Sequence, residues 1–336
     1  MQKRRIFALL LALLLIGLSA VGCTSAKTKQ ERRVIGTCAG YDVLYEELRY
    51  LTLTYKDLFE DTYGEGIWED PVTAEQYRKE LEDTVWDLLL NNYAVLAACD
   101  AYLPKKNAIE DEAIEEAVDR MVEEMIASYG SKKEYKEALE AYHTTEHFLR
   151  FTFGVAQLEN ELIYALADDW ELMINNLEDF EAWLRDGNCV YVQHVYIRND
   201  KGEDVEENRA RAEQVRSDLI AAENEAQINA IVGSKVNEDL QPSPYYVVKG
   251  VYVPEIEDAS YGLDFAGDVS HVVEAEGGFY VLVRMEDSTE ILLSKLTSLF
   301  SEYQNTVVED YVEMAKQTLR LELNEYGKSL DLLTIE

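Results

Sequence analysis

Gly187-Asn188-Cys189-Val190-Tyr191-Val192-Gln193-His194-Val195-Tyr196-Ile197 is where the chain changes period. From Val190 the side chains alternate, so Val190, Val192, His194 and Tyr196 fall on one face of a strand. Asn199 to Gly202 reads as a turn. Glu206 to about Ala222 is amphipathic at helical spacing, and a shorter helix is expected at 225–232. Tyr245 to Val253 reads as a strand and Glu255 to Tyr261 as a short helix. Val269 to Val273 and Phe279 to Met285 read as strands joined by Glu276-Gly277-Gly278. The order strand, helix, helix, strand, short helix, strand, strand makes a small α+β module over 188–287.

Both flanks are helical. Val34 to Asp42 reads as a hairpin turning at Ala39-Gly40, followed by a helix from Leu44 to about Phe59. Thr73 and Gln76 have capping-box spacing. Beyond them Tyr77, Leu81, Val85, Leu88, Leu89, Leu96 and Cys99 recur at three- and four-residue steps up to Pro104. Further helices are expected at about 108–128, 132–142, 145–167 and 176–186. Thr289 to Tyr326 reads as one long helix with Leu292, Leu296, Leu299, Phe300, Tyr303, Val307, Tyr311, Ala315 and Leu319 on a stripe. A long helix cannot bury such a stripe alone. The expected fold is therefore α+β: a mainly helical body, 34–186, completed by a C-terminal helix, 289–336, with the α+β module inserted between them. The aromatics Trp86, Phe148, Phe151, Phe153, Trp170 and Trp183 either fill the core or line a peptide groove.

The N-terminus carries a second signal. Lys3, Arg4 and Arg5 precede an apolar run from Ile6 to Leu18, and Ala20-Val21-Gly22 lead into Cys23. That order is a secretory signal over 1–22, too short for a membrane span of about 20 apolar residues. A cysteine directly after the small residues makes it a lipoprotein signal. Cys23 is the expected lipidation site, residues 23–33 a polar tether, and the location extracytoplasmic, anchored by acyl chains to the cell membrane. The full chain has 31 Lys+Arg against 66 Asp+Glu, a net charge of −35. Without the three basic residues of the signal, 28 face 66 and the net is −38. That excludes nucleic acid as a partner, since phosphate binding needs basic patches. An acidic, solvated surface that aids solubility is the plain reading, with calcium the alternative, although no EF-hand spacing occurs. Cys38, Cys99 and Cys189 are odd in number and far apart, which argues against a disulfide framework or a zinc site. Cys99 lies on the apolar helix face. No metal and no cofactor is expected, and His143, His147 and His271 read as surface residues.

The module carries a resemblance. Val253-Pro254-Glu255-Ile256-Glu257-Asp258-Ala259-Ser260-Tyr261-Gly262-Leu263 is followed by Gly267-Asp268-Val269-Ser270, Val272-Val273-Glu274 and Gly278-Phe279-Tyr280-Val281-Leu282. These runs, in this order, resemble a parvulin-type peptidyl-prolyl isomerase domain. Gln193-His194-Val195-Tyr196-Ile197 resembles its opening strand. The hairpin at 34–42 with Glu46-Glu47-Leu48 resembles the start of the PrsA/SurA-type foldases, with Ala39 in place of the usual Asn. A parvulin module inserted in a helical body on a lipid anchor is similar to the PrsA arrangement.

The resemblance implies a site and shows where this chain departs from it. The family sets two histidines behind the substrate carbonyl. His194 matches the first, and Tyr280 stands at the second. The methionine and phenylalanine of the proline pocket correspond to Tyr252 and Ile256. Tyr261 takes the second aromatic position, and Leu263 matches the family leucine. The acid or cysteine after the second helix corresponds to Asp239. A Gly-Gly-Asp-Leu-Gly loop is replaced by Gln241-Pro242-Ser243-Pro244-Tyr245-Tyr246. Two functions stay open: a foldase that binds unfolded secreted polypeptides and isomerises their prolines through a degenerate site, or a non-catalytic holdase or scaffold for the same clients.

Overall fold

The computed structural model describes residues 30–169, 171–199, 204–234, 236–239, 242–275 and 277–336. The signal at 1–22, Cys23 and most of the tether lie outside the described residues, as do Trp170, Gly202 and Gln241. Among the described residues the fold is α+β and mainly helical, with two small antiparallel sheets. It divides into two compact units, one of residues up to 166 with 308–336, the other of residues 167–307.

The first unit opens with the expected hairpin, β1 (Val34–Cys38) and β2 (Tyr41–Leu44). Ala39 and Gly40 take φ of 54° and 86°, the left-handed pair of a two-residue turn matched to strand twist. Helix α1 (Tyr45–Tyr63) follows at once. Glu47 sits in its first turn and accepts from the Leu44 N–H at 2.8 Å, satisfying a donor the helix cannot. Helix α2 (Ala74–Tyr102) buries Leu81, Val85, Leu89, Leu96 and Cys99 on one face, as their spacing predicts. The Thr73–Gln76 capping box does not form. Asp70 Oδ1 instead accepts from Val72 and Thr73 N–H at 2.8 and 3.0 Å, turning the chain just before the helix. Helices α3 (Glu112–Ser128), α4 (Lys132–Ala141) and α5 (Glu146–Ala167) complete the N-terminal part.

The second unit begins with α6 (Leu177–Trp183) and continues into β3 (Cys189–Arg198), α7 (Val205–Ile220), α8 (Glu225–Val232), β4 (Tyr245–Val248), α9 (Pro254–Tyr261), β5 (Val273–Ala275) and β6 (Gly278–Arg284). The strand order is β4-β3-β6-β5, all antiparallel. Two strands are shorter than their sequences suggest. β4 stops at Val248 because Lys249-Gly250 turns the chain, with Gly250 at φ 80°. Val269 makes only an isolated bridge to Val283, and pairing resumes at Val273. Between them the Ser270 hydroxyl accepts from the Leu282 N–H at 2.9 Å, replacing a ladder bond.

The sheet is covered on both faces. Val195, Ile197, Phe279, Val281 and Val283 pack on α7 and α8 through Ala212, Val215, Leu219, Ile228 and Val232. On the opposite face Val190, Val192, Val247 and Leu282 meet Ile256, Ala259 and Leu263 of α9 and its exit. A third cluster joins Phe180, Leu184, Tyr246 and Val248 to Leu292, Leu296 and Leu299 of helix α10 (Thr289–Thr318).

The C-terminal helix ends eight residues before its predicted end at Tyr326, because strand pairing takes over. β7 (Glu322–Leu323) adds to the free edge of β1, giving the order β2-β1-β7 in the first unit. The Asn324 N–H donates to Ile35 O at 2.9 Å, and its amide donates to Val34 O at 2.7 Å. Gly36 permits the approach, since a Cβ there would lie 2.6 Å from Glu322 O. A four-residue helix, α11 (Glu325–Lys328), follows.

Candidate functional site

Antiparallel register builds this site. Val192 of β3 lies opposite Tyr245, Tyr196 opposite Tyr280, and His194 opposite Leu282. Residues directly opposite share a face, so His194, Tyr245 and Tyr280 converge above the α9 side of the sheet. The His194 ring meets Tyr280 edge-on at 5.5 Å between centroids and Tyr245 at 5.4 Å. Its Nδ1 lies 3.0 Å from the Tyr245 hydroxyl and its Nε2 lies 3.2 Å from Asp239 Oδ2.

Asp239 reaches the ring because the chain after α8 is fastened along β3. Glu238 N–H donates to Tyr196 O at 2.8 Å. The buried Asn237 amide donates to His194 O and Val232 O, both at 3.0 Å. Its carbonyl accepts from Tyr196 N–H at 2.9 Å and Asp239 N–H at 3.0 Å. One side chain thus satisfies four backbone groups that burial would leave costly.

The expected proline-slot residues lie on the same side. Ile256 and Leu263 are 6% and 5% exposed, members of the apolar cluster rather than walls of an open slot. Tyr252 and Tyr261 are half-buried at its margin. Tyr252 stands 5.7 Å from the Tyr245 ring, and its N–H donates to Glu257 Oε1 at 3.1 Å. The Tyr261 hydroxyl donates to Val247 O at 3.4 Å. Burial drives the Tyr245 phenol far above its ordinary range, and Tyr252, Tyr280 and Asp239 push it the same way. It therefore remains a hydrogen-bond donor at any physiological pH.

His194, Tyr280 and Asp239 are thus brought together as the sequence suggests, while Tyr245 and Asn237 were not foreseen. Tyr245 lies in the run that replaces the family's glycine loop. Its place beside His194 depends on β4 register, which residue types alone do not reveal. Asn237 gives no sequence signal beyond being a polar residue after a helix.

No family model matches the chain. Its sequence is 23% identical over 322 residues to Foldase protein PrsA of Caldanaerobacter subterraneus subsp. tengcongensis, covering 93% of this chain and 94% of that one. The chain is thus similar to a PrsA-type foldase along nearly its whole length. Solved PrsA structures also match. The peptidylprolyl isomerase PrsA of Bacillus anthracis is 14% identical, covering 71% of this chain and 100% of that one, with a TM-score of 0.38. The PrsA foldase of Lactococcus lactis is 14% identical, covering 88% and 96%, with a TM-score of 0.32. Among the described residues no helix is long and apolar enough to cross a membrane.

The first unit holds a separate polar cluster. A cavity of about 270 Å³ is lined by Asp42, Leu44, Glu46, Glu47, His147, Phe148 and Phe151. Glu46 and Glu47 are 2% and 4% exposed. Glu46 bonds Thr145 and faces Nδ1 of the surface residue His147, while Glu47 accepts from Tyr93 at 2.8 Å. Burial lifts the Glu47 carboxyl to about 7 against the opposing bonds from Leu44 and Tyr93, with Glu46 adding to the rise.

Proposed function

We propose that the chain is an extracytoplasmic folding factor for secreted polypeptides, anchored by a lipid on Cys23, with weak proline-isomerase activity in its inserted α+β module. The observation that carries the isomerase reading is the fixed polar group of His194, Asp239 and Tyr280 on the sheet face above α9. Prolyl isomerisation breaks no covalent bond and unaided takes tens to hundreds of seconds. Catalysis requires an apolar seat for the proline ring and fixed dipoles that favour the twisted amide over the planar one. His194 and Tyr280 supply the dipoles; Tyr252 and Tyr261 supply the seat, with the buried Ile256 and Leu263 beneath them. A non-catalytic holdase is the second reading, favoured by the burial of Ile256 and Leu263, which leaves the seat crowded.

A protease-coupled assay on an X-Pro peptide separates the two. Wild type should turn over slowly, His194→Ala should not, and Tyr280→His should gain rate. All three should suppress aggregation of an unfolded client equally. Absence of both turnover and aggregation suppression in wild type would overturn both readings. Cys23→Ala should remain unlabelled by a radioactive fatty acid; labelling equal to wild type would refute the anchor.

A further inference from the structure

We propose that Tyr245 is a positioning residue: its phenol donates to Nδ1 of His194 and holds the imidazole in the tautomer whose Nε2–H faces Asp239. The consequence for turnover rests on the isomerase reading above; the hydrogen-bond assignment does not.

A neutral imidazole has one donor nitrogen and one acceptor. Nε2 lies 3.2 Å from Asp239 Oδ2. An ionised carboxylate only accepts, so the proton belongs on Nε2. The other tautomer would set a bare nitrogen lone pair against the carboxylate. Nδ1 must then accept, and the atom 3.0 Å from it is the Tyr245 hydroxyl, whose proton is available at physiological pH. The phenol is held by its backbone, since Tyr245 is laddered to Val192 in β4, and its ring rests against Tyr252. Asp239 is equally fixed through Asn237. Both ring nitrogens are thus satisfied by anchored partners, which fixes the ring's orientation as well as its proton.

This assigns a role to the run Gln241–Tyr246, where the sequence departs from the family pattern and whose Tyr245 opens β4. Tyr280, at the second-histidine position, packs against the His194 ring by its edge. The group that reaches Nδ1 comes from β4, on the opposite side of β3 from β6. No proton is transferred. The imidazole presents one unchanging dipole while a bound amide twists, so the effect should appear in kcat rather than KM.

The test uses the full chain in detergent, labelled with 15N-histidine, the His194 resonances being those absent from His194→Ala. Wild type should show a proton on Nε2 and a hydrogen-bonded, unprotonated Nδ1. Tyr245→Phe keeps the ring and the packing but should move Nδ1 to the shift of an unbonded nitrogen. Asp239→Asn should still show a single tautomer, and the double variant should show a mixture. With an X-Pro peptide, Tyr245→Phe should lower kcat roughly 2- to 10-fold, the size of one net hydrogen bond, and leave KM unchanged. A proton on Nδ1 in wild type, or an Nδ1 shift unaltered by Tyr245→Phe, overturns the assignment whatever the turnover. The expected spectra without any wild-type turnover would uphold the assignment and overturn the isomerase reading instead.

Discussion

Replacing Glu47 by Gln should stabilise the first unit at pH 8 and remove much of its dependence on pH. Glu47 sits in the first turn of α1, 4% exposed, and its carboxyl is lifted from 4.5 to about 7, chiefly by burial. The groups around it are Glu46 on its own helix, Tyr93 from α2, His147 from α5, Asp42 from β2 and Cys38 from β1. The Cys38 thiol is raised by burial and then by the Glu47 charge, the reciprocal of the same repulsive field. A group whose proton affinity is higher folded than unfolded stabilises the fold fully below its unfolded pKa. That stabilisation is lost as pH rises through the folded value. Here the window runs from about 4.5 up to about 7. At about 1.4 kcal/mol per pKa step, it is worth about 3 kcal/mol. Glutamine cannot ionise yet keeps the carbonyl that accepts from Leu44. Its amide can donate to the Tyr93 oxygen, whose hydroxyl then turns to Asp42 O, 3.2 Å away. Urea unfolding of wild type and Glu47→Gln at pH 5, 6, 7 and 8 measures the difference. Glu47→Gln should be more stable by up to about 3 kcal/mol at pH 8 and equal to wild type near pH 4.5. Comparing the two proteins cancels the general relief of acidic self-repulsion at low pH. An unchanged pH slope, or a variant less stable at pH 8, would refute the buried-proton argument.

Three further outcomes are expected. Asn237→Ala should destabilise the second unit by about 1–3 kcal/mol, because Tyr196 N–H and three other backbone groups lose their partner; a melting temperature equal to wild type would show that the clamp is dispensable. Gly278→Ala should disrupt β3–β6 pairing, since a Cβ there would lie 2.2 Å from Ile197 O; hydrogen exchange at Ile197 and Phe279 should rise, and unchanged protection would contradict it. Deleting 319–336 should weaken the first unit by exposing the β1 edge that β7 and Asn324 cover; a truncated chain that melts like the whole would refute that closure.

The helical faces and the strand alternation were legible because each is a local property. Leu81, Val85 and Leu89 must share a helix face whatever surrounds them, and Val192 and His194 must share a strand face. The order of elements was equally legible, and with it the α+β class and the likeness to foldases. Helix ends were less so. Nothing in the apolar stripe announces that Thr318 is its limit, because the stop depends on an unpaired edge of β1 nearly 300 residues earlier. The capping box at Thr73 failed for a local reason: Asp70, three residues before it, accepts from the Thr73 N–H that the Gln76 side chain would have taken. His194, Tyr280 and Asp239 were nominated by likeness to a family, and the sheet brings them together. Tyr245 and the buried state of Glu47 belong to tertiary structure alone. The sequence by itself determined which side chains share an element's face. Which faces then meet, and so which phenol reaches an imidazole and which carboxyl loses its water, was decided by strand register and burial. Those arise between segments far apart in the chain, and no local period encodes them.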